Sequence, residues 1–213
     1  GALVSGITPG STWVTEPRVA RNLQELMDTA GSRYTYSPNP LAMLEAVNGG
    51  DEKLALVGTP CEISSVGKAR LYGVEEYSSP IAFTVGLLCA EAFTFDGLMQ
   101  EKIVKELGIP LEDVTKINIK GKVLVYTNSG EMHEIPLKEA KLHGRPECHF
   151  CPDFSAEHAD ISAGGLGMDG WTVMILRSRK GEEIFDGALA EGLLETLPIE
   201  AEPKVQELLP KMV

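Results

Sequence analysis

Two short apolar runs, Lys53–Val57 and Ile81–Leu88, constrain this chain more than any other feature, because each leads into a cysteine and then into a helix-forming segment. Ile81–Leu88 reads as a strand buried on both faces. The first run meets Gly58-Thr59-Pro60-Cys61, and the residues beyond suit a helix to about Arg70; the second delivers Cys89 at its carboxyl end, before a helix over 97–107. The spacing predicts two strand-loop-helix units, with Cys61 and Cys89 at the ends of neighbouring buried strands. Upstream, Thr12 to Thr15 is extended, and Arg18 to Ala30 places Leu23, Leu26 and Met27 on one helical face that stops at Gly31. Asn39-Pro40 provides an N-cap and a first-position proline for a helix through Val47, ended by Gly49-Gly50. Ile117–Ile119, Lys122–Thr127 and Met132–Leu137, punctuated by Gly121 and Ser129-Gly130, predict a small antiparallel meander. A loop with Cys148 and Cys151 follows, then a strand over 171–177 and a helix over 182–191 closed by Gly192. With no repeat and no low-complexity linker, the expected fold is a single mixed α/β (α+β) domain over 1–213. Residues 1–110 form its α/β part, and 111–213 form the meander and the cysteine- and glycine-rich loop.

A chain of 213 residues can build its core without disulfides. Its formal charge of -12 excludes a nucleic-acid function, since phosphate binding relies on clustered Lys and Arg. The apolar runs are too short to span a bilayer. Gly1 to Gly10 lack the basic flank and apolar stretch of a secretory signal, which points to the cytoplasm, where thiols persist and serve metal or redox chemistry. The opening Gly1-Ala-Leu-Val-Ser-Gly reads like the end of a buried strand with no initiator Met, so part of the natural N-terminus is expected to precede it.

Cys148-His149-Phe150-Cys151 is a close pair able to share one metal. With Cys61 and Cys89 it makes four thiolates, enough for an iron-sulfur cluster or a zinc site. Inert buried side chains are the plain alternative. Against that, Cys61 follows Thr-Pro in a turn, Cys148 follows Arg145-Pro146 and Cys151 precedes Pro152, so three of the four lie on loops. Structural zinc sites usually use two close pairs and only one exists here, which favours iron and sulfide. His149 reads as a solvated or hydrogen-bonding residue. Downstream, Gly164, Gly165, Gly167 and Gly170 clear side chains from a backbone path whose amides could face a phosphate or a planar ring; an ordinary loop of tight turns is the alternative. These glycines precede a strand, so they form no dinucleotide fingerprint.

Gly58-Thr59-Pro60-Cys61, Gly86 to Phe93, the Cys148–Cys151 pair with Asp153-Phe154, and Ala159-Asp160-Ile161-Ser162 through Thr172, together with Arg33 to Asn39, resemble the beta subunit family of the coenzyme F420-reducing hydrogenases and dehydrogenases, in the family's order over nearly the whole chain. The resemblance implies FAD, a 4Fe-4S cluster held by Cys61, Cys89, Cys148 and Cys151, and the deazaflavin coenzyme F420 of methanogens as substrate. It also implies, as partners, a hydrogenase or dehydrogenase catalytic subunit, of formate-oxidising type among others, and an iron-sulfur relay subunit. Family members carry an N-terminal helical segment with a Gly-Gly motif ahead of the position of Gly1, and this sequence lacks it. Its absence implies either an incomplete sequence or weaker FAD binding. Flavin contacts are expected at Thr59 and Pro60 beside a cluster ligand, at Ser37 and Asn39 before a helix start, and at Asp160, Ser162, Gly164, Gly165, Gly167 and Thr172 on the other side. Trp171 reads either as a stacking residue or as core. Lys120, Lys122 and Arg145 are the candidates for the coenzyme's anionic tail. A zinc-stabilised binding module without redox activity is the competing function.

Overall fold

In the stretch 54–58, Leu54, Leu56 and Gly58 are buried while Ala55 and Val57 are only half covered, the two-residue alternation of a strand with one better-covered face. The computed structural model, which describes residues 1–168 and 170–212, makes this strand central to a mixed α/β fold. The chain divides into two compact units. Unit 1 comprises Gly1–Leu3, Asn39–Cys89 and Pro152–Val213, and unit 2 comprises Val4–Pro38 and Ala90–Cys151.

Unit 1 contains the start of β1 (Ala2–Ile7), then β3 (Leu54–Gly58), β4 (Ile81–Leu87), β8 (Ile161–Gly164) and β9 (Val173–Leu176), in the order β1-β3-β4-β8-β9. The first three pairings are parallel and β8 with β9 is antiparallel. Parallel neighbours need crossover connections. Helices α3 (Pro60–Leu71) and α4 (Glu75–Ser78) supply the one between β3 and β4, and Ile63 and Val66 of α3 are buried. Before β3, a 3-10 turn at Asn39–Ala42 leads into α2 (Met43–Asn48), matching the helix expected after Asn39-Pro40. The chain ends in α6 (Arg179–Ala190) and α7 (Pro203–Met212). Two glycines mark close approach in this unit. A Cβ on Gly86 would lie 2.2 Å from Ala156 Cβ, and one on Gly164 would lie 2.6 Å from the Leu88 side chain.

Unit 2 holds the rest of β1 with β2 (Thr15–Ala20) beside it, and the expected meander: β5 (Val114–Ile119), β6 (Lys122–Thr127) and β7 (Met132–Pro136), antiparallel throughout. The short helix α5 (Leu137–Ala140) follows β7 directly and buries Ala140. Ile117, Val123, Val125 and Ile135 point from the meander into a core shared with Leu98, Met99 and Ile103. Each fully covered side chain of this kind contributes about 1.5–3 kcal/mol. The last three belong to a wide, π-type helix, Phe95–Glu106, capped by Thr94, whose hydroxyl accepts from Gly97 N–H; at its other end Leu107 N–H reaches back five residues to Lys102 C=O at 3.1 Å.

The helix expected over 18–30 is shorter. Arg18 to Ala20 belong to β2, where the Arg18 guanidinium donates to Ile7 C=O at 2.7 Å across the neighbouring strand. Helix α1 (Leu23–Asp28) starts only after Asn22, whose side chain accepts from Glu25 N–H. It buries no residue, so Leu23 and Met27 remain exposed. The strand expected over 171–177 is confined to β9, and β8, inside the glycine-rich stretch, carries no signal of its own in the sequence.

Candidate functional site

In unit 1, Cys61 is the second residue of α3, after Pro60, in the turn that leaves β3. Pro60 is buried and Cys61 is exposed. Glu62 reaches back to accept from Thr59 N–H at 2.7 Å and from the Thr59 hydroxyl at 3.0 Å, and Thr59 Oγ1 lies 3.2 Å from Cys61 Sγ. The same carboxylate takes Asn39 N–H at 2.8 Å, while Asn39 Nδ2 donates to Val57 C=O at 2.9 Å. The amide that the sequence offers to a phosphate at Asn39 therefore donates to Glu62. Cys89, half-buried, follows β4, and its N–H donates to Phe154 C=O at 2.9 Å.

The glycine-rich stretch is braced from beneath. Ser162 is fully buried; its hydroxyl accepts from Arg177 Nε at 2.7 Å and donates to Ala156 C=O at 3.2 Å. Arg177 also donates to the Ser155 hydroxyl at 2.8 Å and to the Ser155 carbonyl at 3.2 Å. Asp160 accepts from Thr84 and from the Ser178 hydroxyl. Ala156 is held at a positive φ of 55°, a conformation costing an L-residue about 1–2 kcal/mol. Above this bracing, Gly165 and Thr172 are exposed, and a Cβ on Gly165 would meet nothing within 4 Å. Gly167 turns at a φ of 77°, and its carbonyl accepts from Lys204 Nζ. Trp171 is 37 % exposed and so is not a core residue.

In unit 2, three segments distant in sequence meet at Phe93, which is 1 % exposed and forms β-bridges to Thr35 and to Gly144. Ala92 C=O accepts from Arg145 N–H at 2.9 Å and faces Cys148 Sγ at 3.9 Å. Cys148 lies in the 3-10 turn Pro146–Phe150, closed by Cys151 N–H to Cys148 C=O at 3.1 Å. His149 and Phe150 are exposed. The Arg145 guanidinium sits 3.8 Å from the Tyr36 ring centroid and 3.5 Å from Glu147. Of the other two candidate cations, Lys122 pairs with Glu134 across β6 and β7, and Lys120 is exposed in the β5–β6 turn. Ser37 is buried.

The four cysteines are thiols rather than disulfides. Within neither unit do three or more His, Cys, Asp or Glu of the described residues gather as a metal-holding group. The donor chemistry nonetheless fits a tetrathiolate group, two thiols coming from each unit. Among the described residues no helix is long and apolar enough to cross a membrane. Sequence reasoning missed Glu62, Thr84, Arg177 and Ser178. Only Glu62 left a signal, standing three residues after Thr59 at a helix start.

Cysteines placed just beyond the carboxyl ends of parallel strands β3 and β4 put this chain among the α/β proteins that carry their reactive groups where open sheets bind ligands. Residues 51–202 match the C-terminal half of the family described as coenzyme F420 hydrogenase/dehydrogenase, beta subunit, and residues 1–43 match the N-terminal half of the same family. The chain belongs to this family of oxidoreductase subunits. It is 41% identical over 206 residues to the coenzyme F420 hydrogenase subunit beta of Methanothermobacter thermautotrophicus, covering 94% of this chain and 72% of the relative. It is 36% identical over 209 residues to a coenzyme F420-dependent sulfite reductase of Methanocaldococcus jannaschii, covering 91% of this chain and 32% of that protein. Among solved structures it is similar to a chain of the F420-reducing NiFe hydrogenase complex of Methanosarcina barkeri, in a xenon derivative, with a TM-score of 0.93 at 36% identity over all of this chain and 74% of the other.

Proposed function

We propose that this chain is a cytoplasmic electron-transfer subunit that passes a hydride between coenzyme F420 and FAD, and single electrons between FAD and a 4Fe-4S cluster. In this reading it works beside a hydrogenase or dehydrogenase catalytic subunit and an iron-sulfur relay subunit. The observation that carries it is four undisulfided cysteines, Cys61, Cys89, Cys148 and Cys151, at strand ends and in a tight turn of a chain that belongs to the F420 beta-subunit family. The similarity to a chain of a hydrogenase complex supports the partner assignment.

When bound, the flavin supplies the exchange between two-electron and one-electron steps, and the cluster supplies one-electron transfer. This chain's residues bind and orient. The thiolates of Cys61, Cys89, Cys148 and Cys151 hold the iron. Thr59 and Pro60 adjoin a ligand and face the flavin edge, and Ser37 and Asn39 shape the turn before α2. Gly164, Gly165, Gly167 and Thr172 offer backbone and hydroxyl groups to the flavin, with Asp160 and Ser162 holding β8 in place for them. Lys120, Lys122 and Arg145 attract the anionic tail of the coenzyme, although Lys122 and Arg145 already have acidic neighbours in Glu134 and Glu147.

Four thiolates also suit zinc. Metal, sulfide and flavin analysis of anaerobically purified protein separates the readings. A brown protein with iron, acid-labile sulfide and flavin that reduces or oxidises F420 supports the proposal. A colourless protein holding zinc overturns it in favour of a structural module.

A further inference from the structure

We infer that Glu62 is a positioning residue for Cys61, acting through the Thr59 hydroxyl; the inference rests on the reading of Cys61 as a cluster ligand. Glu62 is 4 % exposed, and both of its oxygens act as acceptors. Oε1 takes Asn39 N–H at 2.8 Å, and Oε2 takes Thr59 N–H at 2.7 Å and the Thr59 hydroxyl at 3.0 Å. The end of β3 is shaped around this carboxylate, since a Cβ on Gly58 would lie 2.9 Å from Oε2 and 3.1 Å from Glu62 Cβ. Asn39 extends the brace by donating to Val57 C=O at 2.9 Å. The turn between strand and helix is thus closed by side chains, and one product of that closure is the position of Thr59 Oγ1, 3.2 Å from Cys61 Sγ.

The chemistry of the acceptor pair makes the residue specific. A glutamine would turn an amide N–H toward either the Asn39 or the Thr59 N–H, and an aspartate is one methylene too short. A hydroxyl held against a thiolate stabilises the more negative, reduced form of a cluster that the sulfur ligates, and so raises its potential. A simple helix cap contributes stability and leaves the potential alone.

The test is a redox titration followed by electron paramagnetic resonance on the anaerobically purified complex, with iron content and melting temperature measured on the same samples. Thr59→Val should keep its iron and lower the cluster midpoint potential, and Thr59→Ser should restore it. Glu62→Gln should shift the potential in the wild-type background by a different amount than in the Thr59→Val background, because the two residues act through one contact. An unchanged potential in Thr59→Val, or additive shifts in the double variant, reduces Glu62 to a helix cap and overturns the inference. Should Thr59→Val fail to hold iron, Glu62→Gln carries the test alone, and an unshifted potential there overturns it. Full iron content in Cys61→Ser removes Cys61 from the ligand set and the inference with it. That failure of the underlying reading is distinct from an unshifted potential in a protein that needs Cys61.

Discussion

Thr84 and Asp160 exchange three hydrogen bonds, although 76 residues separate them: Thr84 N–H and its hydroxyl donate to Asp160 Oδ2 at 2.8 and 3.0 Å, and Asp160 N–H donates to Thr84 Oγ1 at 2.9 Å. The Ser178 hydroxyl donates to the other carboxylate oxygen while accepting from Gly181 N–H, so Asp160 ties β4, β8 and the start of α6 together. The parallel pairing of β4 with β8 is short, Val85 to Leu87 against Ile161 to Ala163, and this side-chain clasp extends it.

Asp160→Ala leaves the Thr84 amide and the Ser178 hydroxyl without their acceptor. Bonds to a charged acceptor contribute about 1.5–3 kcal/mol each and do not simply add, so the expected loss is about 3 kcal/mol. For a chain of this size that is a fall of about 6–12 °C in melting temperature. Calorimetry checks it, and a loss under about 0.5 kcal/mol, the level of an ordinary surface change, would show the clasp to be incidental.

Lys102, 7 % exposed, donates to Glu106 at 2.6 Å and to Glu139 at 3.1 Å. The hydrogen bond to Glu106 and then the one to Glu139 raise its pKa above the ordinary 10.5, against the smaller opposing effect of burial. A cation whose folded pKa is raised contributes stability that is fully present below the unfolded value and is lost as pH rises through the folded one. The difference in melting temperature between wild type and Lys102→Met should therefore be flat near neutral pH and change only in the alkaline range, beginning near 10.5. Melting curves collected from neutral to strongly alkaline pH read this directly, and a difference already varying between about pH 6 and 8 contradicts it.

Replacing Cys148 or Cys151 by Ser should remove the cluster, because a hydroxyl is a far poorer iron ligand than a thiolate at neutral pH. The fold of the turn should survive, since its closing bonds, Cys148 N–H to Arg145 C=O and Cys151 N–H to Cys148 C=O, are made by backbone. Iron analysis and the paramagnetic spectrum give the outcome. Full iron content in both variants is the result that sinks the ligand assignment.

Converting Lys120, Lys122 and Arg145 together to Ala should raise the KM for coenzyme F420 and leave bound flavin, cluster and kcat nearly unchanged, because contacts to a remote tail act equally on ground and transition states. Partly exposed contacts to a charged group are worth roughly 1 kcal/mol each, about five-fold in affinity apiece. Lys122 and Arg145 should give less than this, since Glu134 and Glu147 already compete for them. Added salt should reproduce the effect by screening. A triple variant with wild-type KM and salt sensitivity would assign these residues to an ordinary solvated surface.

Much of the fold was legible in local pattern. The apolar runs became β3 and β4, the punctuated stretch after residue 113 became the meander, and the loops around Cys61, Cys89, Cys148 and Cys151 lie where turn chemistry put them. The error at 18–30 has a physical source: Leu23, Leu26 and Met27 have helical spacing, but Arg18 to Ala20 gain more from pairing beside β1 than from extending a helix that buries nothing.

What the sequence by itself determined was the kind of each element and the placing of the thiols, because strand alternation, helix periodicity and proline or glycine turns are written within a few neighbouring residues. The tertiary structure alone decided the order β1-β3-β4-β8-β9, the existence of β8, and which polar side chains join: Asn39 with Glu62, Thr84 with Asp160, Ser162 with Arg177. These partners stand 15 to 76 residues apart. A polar residue in sequence records only that it can donate or accept; burial, which makes an unpaired group costly, selects the partner, and burial exists only once distant strands have packed.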